Sequence, residues 1–174
     1  MPQPTGNELE RVRARREQLR EKYLRPLAER PRSTARGVHH VALIARDVEE
    51  TIRFYQDLLG FPLVELVENR DYDGSSHFFF DIGHGNLLGF FDFPGHDHPE
   101  STETIGGVQH IAISVDADQY DAARRRLDEA GVEYVGPDRG VEGSVYFRDP
   151  NGAPIELYRE VLGIFEGTRL LPDR

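Results

Sequence analysis

The sequence contains no cysteine and no tryptophan, and it has a single methionine and a single lysine, Lys22. Without cysteine the chain can form neither a disulfide nor a thiolate-bound zinc or iron–sulfur centre, so a bound metal must be held by nitrogen and oxygen. No apolar run is long enough to cross a membrane, and no signal-peptide pattern is present. We therefore expect a cytoplasmic protein that does not use a membrane.

Charge is distributed unevenly along the 174 residues, whose net charge is −10. Residues 1–36 hold ten basic and five acidic groups, whereas the remainder holds 11 basic and 26 acidic groups. The acidic excess of the larger part argues against nucleic acid or an anionic membrane as a partner. Residues 1–36 form a basic helix and linker, and we expect them to pack on their own domain or on a partner subunit.

Apolar side chains in the N-terminal segment recur with the period of a helix between Asn7, a residue that commonly caps helices, and Leu27. This stripe is narrow, so the predicted helix needs a surface to lie on. At the other end, residues 161–174 form an apolar C-terminal tail, which we also expect to pack on the domain or on a second subunit.

Between these segments the sequence repeats itself. The eight residues 37–44, Gly-Val-His-His-Val-Ala-Leu-Ile, return 70 positions later in 107–114 as Gly-Val-Gln-His-Ile-Ala-Ile-Ser. A second echo relates 85–90 to 152–157. A repeat of this kind predicts one domain built from two similar modules.

Each module has the pattern of a strand, a helix and three further strands. Module one covers 37–93, a polar connecting loop covers 94–106, and module two covers 107–160. The sequence thus predicts an α+β domain over 37–160 that consists of paired βαβββ units.

Each module carries a histidine at the start of its first strand, His40 and His110, and only module two carries a carboxylate inside its last strand, Glu156. Strand alternation allows all three side chains to face one cavity. A single strand histidine is more often a packed core residue, but two in register with a carboxylate favour a metal site. Two histidines and one carboxylate with open positions suit Fe(II) or Mn(II).

The paired Gly-Val-x-His starts and the run Ser-Val-Tyr-Phe-Arg-Asp-Pro-Asn-Gly at 144–152, which leads to Glu156, resemble the vicinal oxygen chelate superfamily. Its members include glyoxalase I, methylmalonyl-CoA epimerase, fosfomycin-resistance thiol transferases, bleomycin-binding proteins and extradiol dioxygenases. The resemblance covers about 37–160. It implies a bowl-shaped, half-open mixed sheet around a divalent metal, and commonly a homodimer.

The resemblance also distinguishes two branches by the number of ligands. Four-ligand members take a further side chain from the last strand of module one, and the internal repeat places that position at Gly89, which has no side chain. Asp92 is nearby but out of phase by strand alternation. The sequence therefore resembles the three-ligand branch, with His40, His110 and Glu156 as metal ligands.

Within that branch, Tyr146 matches the pocket tyrosine of extradiol dioxygenases, ten positions before the ligand glutamate. Their acid–base histidine corresponds to Asn86, so another histidine must serve, and alternation makes His77 the best candidate. We expect Tyr146 and His77 to be catalytic. The predicted substrate-binding residues are aromatic: Phe79, Phe91 and Tyr158.

The favoured function is an Fe(II)-dependent dioxygenase of extradiol type that acts on a catechol-like or other aromatic small molecule. The alternative is a non-redox enzyme of the same superfamily, a glyoxalase-like lyase, an isomerase or a thiol transferase, that uses Mn, Zn or Ni as a Lewis acid. A third possibility is an antibiotic-binding protein that needs no metal.

Overall fold

A computed structural model describes residues 5–136, 143–159 and 162. The chain divides into two compact units. The described part of the smaller one is 5–36, and the described part of the larger one is 37–136, 143–159 and 162. Of the predicted tail 161–174, all but Leu162 lies outside the described residues. The division into an N-terminal helix, a two-module domain and a tail stays a prediction.

The smaller unit contains one long helix, α1, at Gly6–Tyr23. Thr5 is the residue that precedes it, so Asn7 lies in the first turn and is not the cap that the sequence predicts. The helix ends before Leu27, because Leu24 adopts an extended conformation and Pro26 follows two residues later. None of its side chains is buried within this unit.

Module one begins with strand β1 (His40–Ala45) and helix α2 (Val48–Ile52), which continues as a π-helical turn over Arg53–Leu58. Its remaining strands pair in the order β1-β4-β3-β2, with β1 parallel to β4 and the other pairs antiparallel. These strands are β2 (Leu63–Glu68), β3 (Ser76–Asp81) and β4 (Leu87–Asp92).

Module two repeats this topology in a second four-stranded sheet of order β5-β8-β7-β6. Again the first and last strands of the module are parallel, and the other pairs are antiparallel. Its elements are β5 (Ile111–Ser114), α3 (Ala117–Glu129), β6 (Tyr134–Val135), β7 (Ser144–Arg148) and β8 (Pro154–Tyr158). The predicted α+β class with paired βαβββ modules is confirmed.

In the described part of the larger unit, one hydrophobic core joins the two modules. In this core one set of alternate side chains from the strands packs with side chains of the helices. Phe54 of the π-helical turn contacts Phe147 of β7, with ring centroids 5.9 Å apart. The buried core consists of Ala45, Phe54, Tyr55, Leu59, Phe78, Phe80, Leu88, Phe90, Ile113, Tyr120, Ala123, Leu127, Val145, Phe147, Ile155 and Leu157.

A buried polar network ties the π-helical turn to the turn between β7 and β8. The hydroxyl of Tyr55 donates to Oδ2 of Asp149 at 3.0 Å. The other oxygen of Asp149 accepts from the backbone amides of Asn151 and Ala153 at 2.9 and 2.7 Å. Burial raises the pKa of both Tyr55 and Asp149, although these hydrogen bonds partly offset the effect for the carboxyl group.

No helix in the described part of the chain is long and apolar enough to cross a membrane.

Candidate metal site

Two of the three predicted metal ligands lie together in module two. Nε2 of His110, immediately before β5, is 3.1 Å from Oε2 of Glu156 in β8. The second carboxylate oxygen, Oε1, accepts a hydrogen bond of 2.5 Å from the hydroxyl of Ser144 in β7. Glu156 is only 7% exposed, and no arginine or lysine of the described residues pairs with it, which is unusual for a buried carboxylate. Burial therefore makes the pairing with His110 and Ser144 necessary.

The spacing of this pair is compatible with a shared divalent ion. Two donor atoms that each lie about 2.1 Å from one ion, at a right angle, are about 3.0 Å apart. The observed separation of 3.1 Å between Nε2 and Oε2 is close to that value. The bond from Ser144 to the other oxygen holds the carboxylate in place, as partners of metal ligands commonly do.

Tyr146 joins this pair on the same face of the sheet. It lies directly opposite Glu156 in the pairing of β7 with β8, and its ring meets that of His110 edge-on at 5.7 Å between centroids. A cavity of about 1140 Å³ opens beside His110 and Tyr146. The structure thus brings together His110, Tyr146 and Glu156, as strand alternation predicts.

His40 lies apart from them, at the start of β1 in the other sheet. Its ring meets that of Phe79 edge-on at 5.7 Å, and its Nδ1 is 2.8 Å from Nδ1 of His39. Among the residues that the structure describes, no three His, Asp or Glu side chains are close enough together to hold a metal ion. One chain alone therefore offers two of the three predicted ligands at one place.

The position of the core explains this separation. Val41, Leu43 and Ala45 of β1 pack on or within the shared core, so His40, Ala42 and Ile44 face away from it and are exposed. In module two Ile113 belongs to the core, and Ala112 on the opposite face is exposed. The faces that carry His40 and His110 are thus both turned away from the core that joins the modules.

His77 lies on the His40 face of module one, within a row of aromatic rings. Its ring stacks on Phe91, with centroids 3.7 Å apart and planes 19° apart, and approaches Phe79 at 4.2 Å. Its Nε2 atom is buried without a hydrogen-bond partner among the described residues. Burial and, to a smaller extent, the charge of His40 lower the pKa of His77, whereas Glu65 raises it. The imidazole is therefore neutral near physiological pH.

The ring of Phe79 also occupies the space where a fourth ligand would begin. Gly89 lies between Ala42 of β1 and Phe79 of β3. A Cβ atom at position 89 would lie 2.9 Å from Cε1 and 3.0 Å from Cδ1 of Phe79, which is closer than side-chain atoms approach. The absence of a side chain at this position is thus matched by the packing of its neighbour.

The other predicted residues are distributed around this site. Tyr158 is at the end of β8, half-buried, on the face that Glu156 shares. Asn86, which the resemblance matches to the acid–base histidine of the dioxygenases, donates from Nδ2 to the carbonyl of Gly83 and so stabilises the turn before β4.

Sequence reasoning did not identify Ser144 or Glu65 as parts of the site. Ser144 has the same strand phase as Tyr146, but its bond to Glu156 depends on the register between β7 and β8, which alternation alone does not fix. Glu65 lies opposite Phe79 because of an irregularity in β2 between Leu63 and Glu65. A bulge of this kind has no clear signal in this sequence.

Comparisons with known proteins identify relatives of the larger unit. Residues 37–157 match the family described as the Glyoxalase/Bleomycin resistance protein/Dioxygenase superfamily. MhqE of Bacillus subtilis strain 168, named as a candidate ring-cleaving dioxygenase, is 29% identical over 127 residues, which are 71% of this chain and 41% of MhqE. The chain thus spans less than half the length of that relative.

FosB of Shouchella clausii, named a metallothiol transferase, is 33% identical over 131 residues, which cover 72% of this chain and 82% of FosB. Among solved structures, a glyoxylase/bleomycin resistance protein/dioxygenase domain from Frankia superposes with a TM-score of 0.62 at 23% identity. That match covers 72% of this chain and 98% of the Frankia domain, and it concerns the fold alone.

Proposed function

The chain belongs to the glyoxalase/bleomycin resistance protein/dioxygenase superfamily, and from this premise we propose that it is a metal-dependent dioxygenase that opens the ring of catechol-like substrates. The observation that carries the proposal is the row of rings formed by Phe79, His77 and Phe91 beside His40. Flat aromatic faces of this kind bind a flat aromatic substrate by stacking. The likeness to MhqE supports the same reaction class.

We propose that His110 and Glu156 of one chain, with His40 of a second copy, hold the metal ion. Two imidazoles and one carboxylate suit Fe(II), which we favour, and they also accept Mn, Zn or Ni. When bound, the ion would polarise the two adjacent oxygens of the substrate and lower their pKa. The remaining chemistry depends on side chains of the protein.

The arrangement of the modules supports a homodimer. The exposed face of β1 that carries His40 is turned away from the core, and so is the face of β5 and β8 that carries His110 and Glu156. Strands β1 and β5 are each at the edge of their sheet. In a symmetric dimer, β1 of each chain lies beside β5 of the other chain. Each of the two sites is then formed by module one of one copy and module two of the other.

In this arrangement Tyr146 donates a hydrogen bond from its hydroxyl to an oxygen of the bound substrate, because its ring stands beside His110 and opposite Glu156. His77, whose half-buried ring favours the neutral form, accepts a proton from a substrate hydroxyl. Phe79, Phe91 and Tyr158 exclude water and orient the aromatic ring.

A second candidate is a non-redox thiol transferase. FosB matches this chain with 33% identity over 82% of its own length, a higher identity and a more complete match than MhqE gives. The same three side chains would then hold a metal ion that acts only as a Lewis acid, and the reaction would not consume molecular oxygen.

Oxygen uptake distinguishes the two candidates. Protein purified without air and reloaded with Fe(II) is given a panel of catechols in an oxygen electrode, with Glu156→Ala as control. Uptake with a yellow ring-opened product, absent in the variant, is the expected result. No uptake by protein that holds one iron per chain would contradict ring cleavage for those substrates. Turnover of a thiol substrate without oxygen would then support the transferase.

A further inference from the structure

We propose that Arg148 binds an anionic group of the substrate, and hence that the natural substrate is an aromatic acid rather than a neutral catechol. The inference rests on the proposed aromatic substrate, and it specifies the substituent that such a substrate carries. Arg148 is the last residue of β7, exposed, and it lines the same cavity of about 1140 Å³ as His110 and Tyr146.

Strand phase places Arg148 on the face of the candidate site. Arg148 lies opposite Pro154 in β8, and Tyr146 lies opposite Glu156, so the two side chains of β7 share one face. Residues two apart on a strand are separated by about 7 Å. This distance matches the span from the hydroxyls of a catechol to a carboxylate on the far side of its ring. One molecule could therefore reach Glu156, Tyr146 and Arg148 together.

One donor of the Arg148 guanidinium group forms a hydrogen bond within the protein, and its other donors can bind a ligand. Its Nη1 atom donates to the carbonyl of Gly152 at 2.5 Å, and no carboxylate forms an ion pair with it among the described residues. A guanidinium has five N–H donors in a fixed plane, so the bond to Gly152 leaves donors for a carboxylate. Such charge-assisted bonds are stronger than those between neutral groups.

The other charged side chains that line this cavity are acidic. They are Glu103, Asp128 and Glu133, of which Glu103 accepts a hydrogen bond of 3.0 Å from Nε2 of Gln109. Their negative charge disfavours an anion in the cavity. Among the described strands of module two, β5 to β8, Arg148 is the only basic side chain on this face. Apart from the proposed metal ion, Arg148 is therefore the positive charge that favours an anion in this cavity.

A purely structural role predicts different behaviour. If Arg148 only stabilises the turn through Gly152, its replacement lowers stability and weakens all ligands alike. If Arg148 binds an anion, its replacement weakens only ligands that carry a negative charge. A pair of probes that differ in charge and share the catechol group separates these cases.

The test compares 3,4-dihydroxybenzoate with the neutral 4-methylcatechol by titration calorimetry. Full-length protein loaded with Zn(II) is used, so that binding is measured without turnover. We expect the wild type to bind the acid at least tenfold more tightly, as a charge-assisted hydrogen bond implies. Arg148→Met should abolish that preference and leave the affinity for 4-methylcatechol unchanged, and Arg148→Lys should retain part of it.

Two results would overturn the proposal: equal affinity of the wild type for both probes, or an equal loss of both in Arg148→Met. The comparison of probes on the wild type remains decisive if a variant fails to fold. Failure of the dioxygenase proposal is distinguishable, because absent oxygen uptake together with a retained preference for the acid rejects ring cleavage and keeps the role of Arg148.

Discussion

The buried pair of Tyr55 and Asp149 links the two modules and responds to pH. Burial raises the pKa of the Asp149 carboxyl group above its ordinary value of about 3.9. The folded protein therefore holds this proton more tightly than the unfolded chain does. The resulting contribution to the free energy of unfolding is complete below about pH 3.9, and it is lost as pH rises through the pKa of the folded state.

Tyr55→Phe removes the hydroxyl that donates to the Asp149 carboxylate. Because a buried hydrogen bond to a charged group contributes about 1.5–3 kcal/mol, we expect a loss of that size in the free energy of unfolding at neutral pH. The variant also has a higher pKa at Asp149, since the hydroxyl stabilises the charged form. The difference from the wild type should shrink as pH falls through that pKa. Urea unfolding between pH 4 and 8 measures it.

Tyr134→Phe is the matched control for this experiment. The hydroxyl of Tyr134 donates to Asp128 at 2.9 Å, but on the surface. Solvent replaces such a bond, so its loss should cost little at any pH. If Tyr55→Phe instead lowers the free energy of unfolding by the same amount at every pH, the effect comes from packing and not from the hydrogen bond to Asp149.

Among the elements, α2 and α3 begin in the same way. Oδ1 of Asp47 accepts from the amide of Glu50 at 2.7 Å, and Oδ1 of Asp116 accepts from the amide of Gln119 at 2.8 Å. Each side chain satisfies one of the free amides at the start of a helix. The internal repeat thus extends to the way in which both helices are capped.

Asp47→Ala should lower the free energy of unfolding by about 1 kcal/mol, because it leaves the amide of Glu50 without its acceptor. Asp47→Asn keeps an acceptor of the same length and should cost only a few tenths of that amount. Thermal or urea unfolding of both variants measures the difference. An equal loss in the two variants would attribute the effect to the charge near the helix terminus.

At this scale the sequence predicts most elements and fails where a tertiary contact decides. The cap of α2 at Asp47, and the end of the helical segment 48–58 shortly before Gly60, follow from local capping and a positive φ angle at that glycine. The local pattern predicts that the helix of module two begins at Asp118, whereas α3 begins one residue earlier, at Ala117, because Asp116 is its cap. The π-helical turn over Arg53–Leu58 has no local signal, because it turns both Phe54 and Tyr55 into the core.

In the whole molecule, strand alternation predicts which side chains share a face but not which faces meet. It places Tyr146 and Glu156 together, and the structure has them opposite each other. Strand alternation does not say which face of each sheet packs against the shared core. That choice depends on long-range packing of both helices, and it separates His40 from His110 within one chain. The metal ligands themselves stay a prediction.

The proposed two-chain site predicts that two inactive variants restore each other. A heterodimer of His40→Ala and His110→Ala chains has one site without either histidine and one site with all three ligands. After unfolding and joint refolding at equal amounts, roughly a quarter of wild-type metal binding and activity should return. Metal content per chain and oxygen uptake of the mixture measure the recovery.

The control mixture combines His110→Ala with Glu156→Ala. Both changes lie in module two, so every site of their heterodimer lacks one ligand, and no recovery is expected. If His40, His110 and Glu156 met within one chain, neither mixture would recover. Equal recovery in both mixtures would contradict the assignment of His40 to the second copy.

The contact of Phe79 with Gly89 also constrains how this protein could evolve. A fourth ligand at position 89 requires a side chain in space that the phenyl ring fills, at 2.9 Å from the new Cβ. Replacement of the glycine first creates a strained intermediate. Reduction of the ring first avoids the clash but removes one of the rings that we propose to bind the substrate. Both orders of mutation therefore pass through an impaired intermediate, so a side chain at position 89 is not reached by a single favourable change.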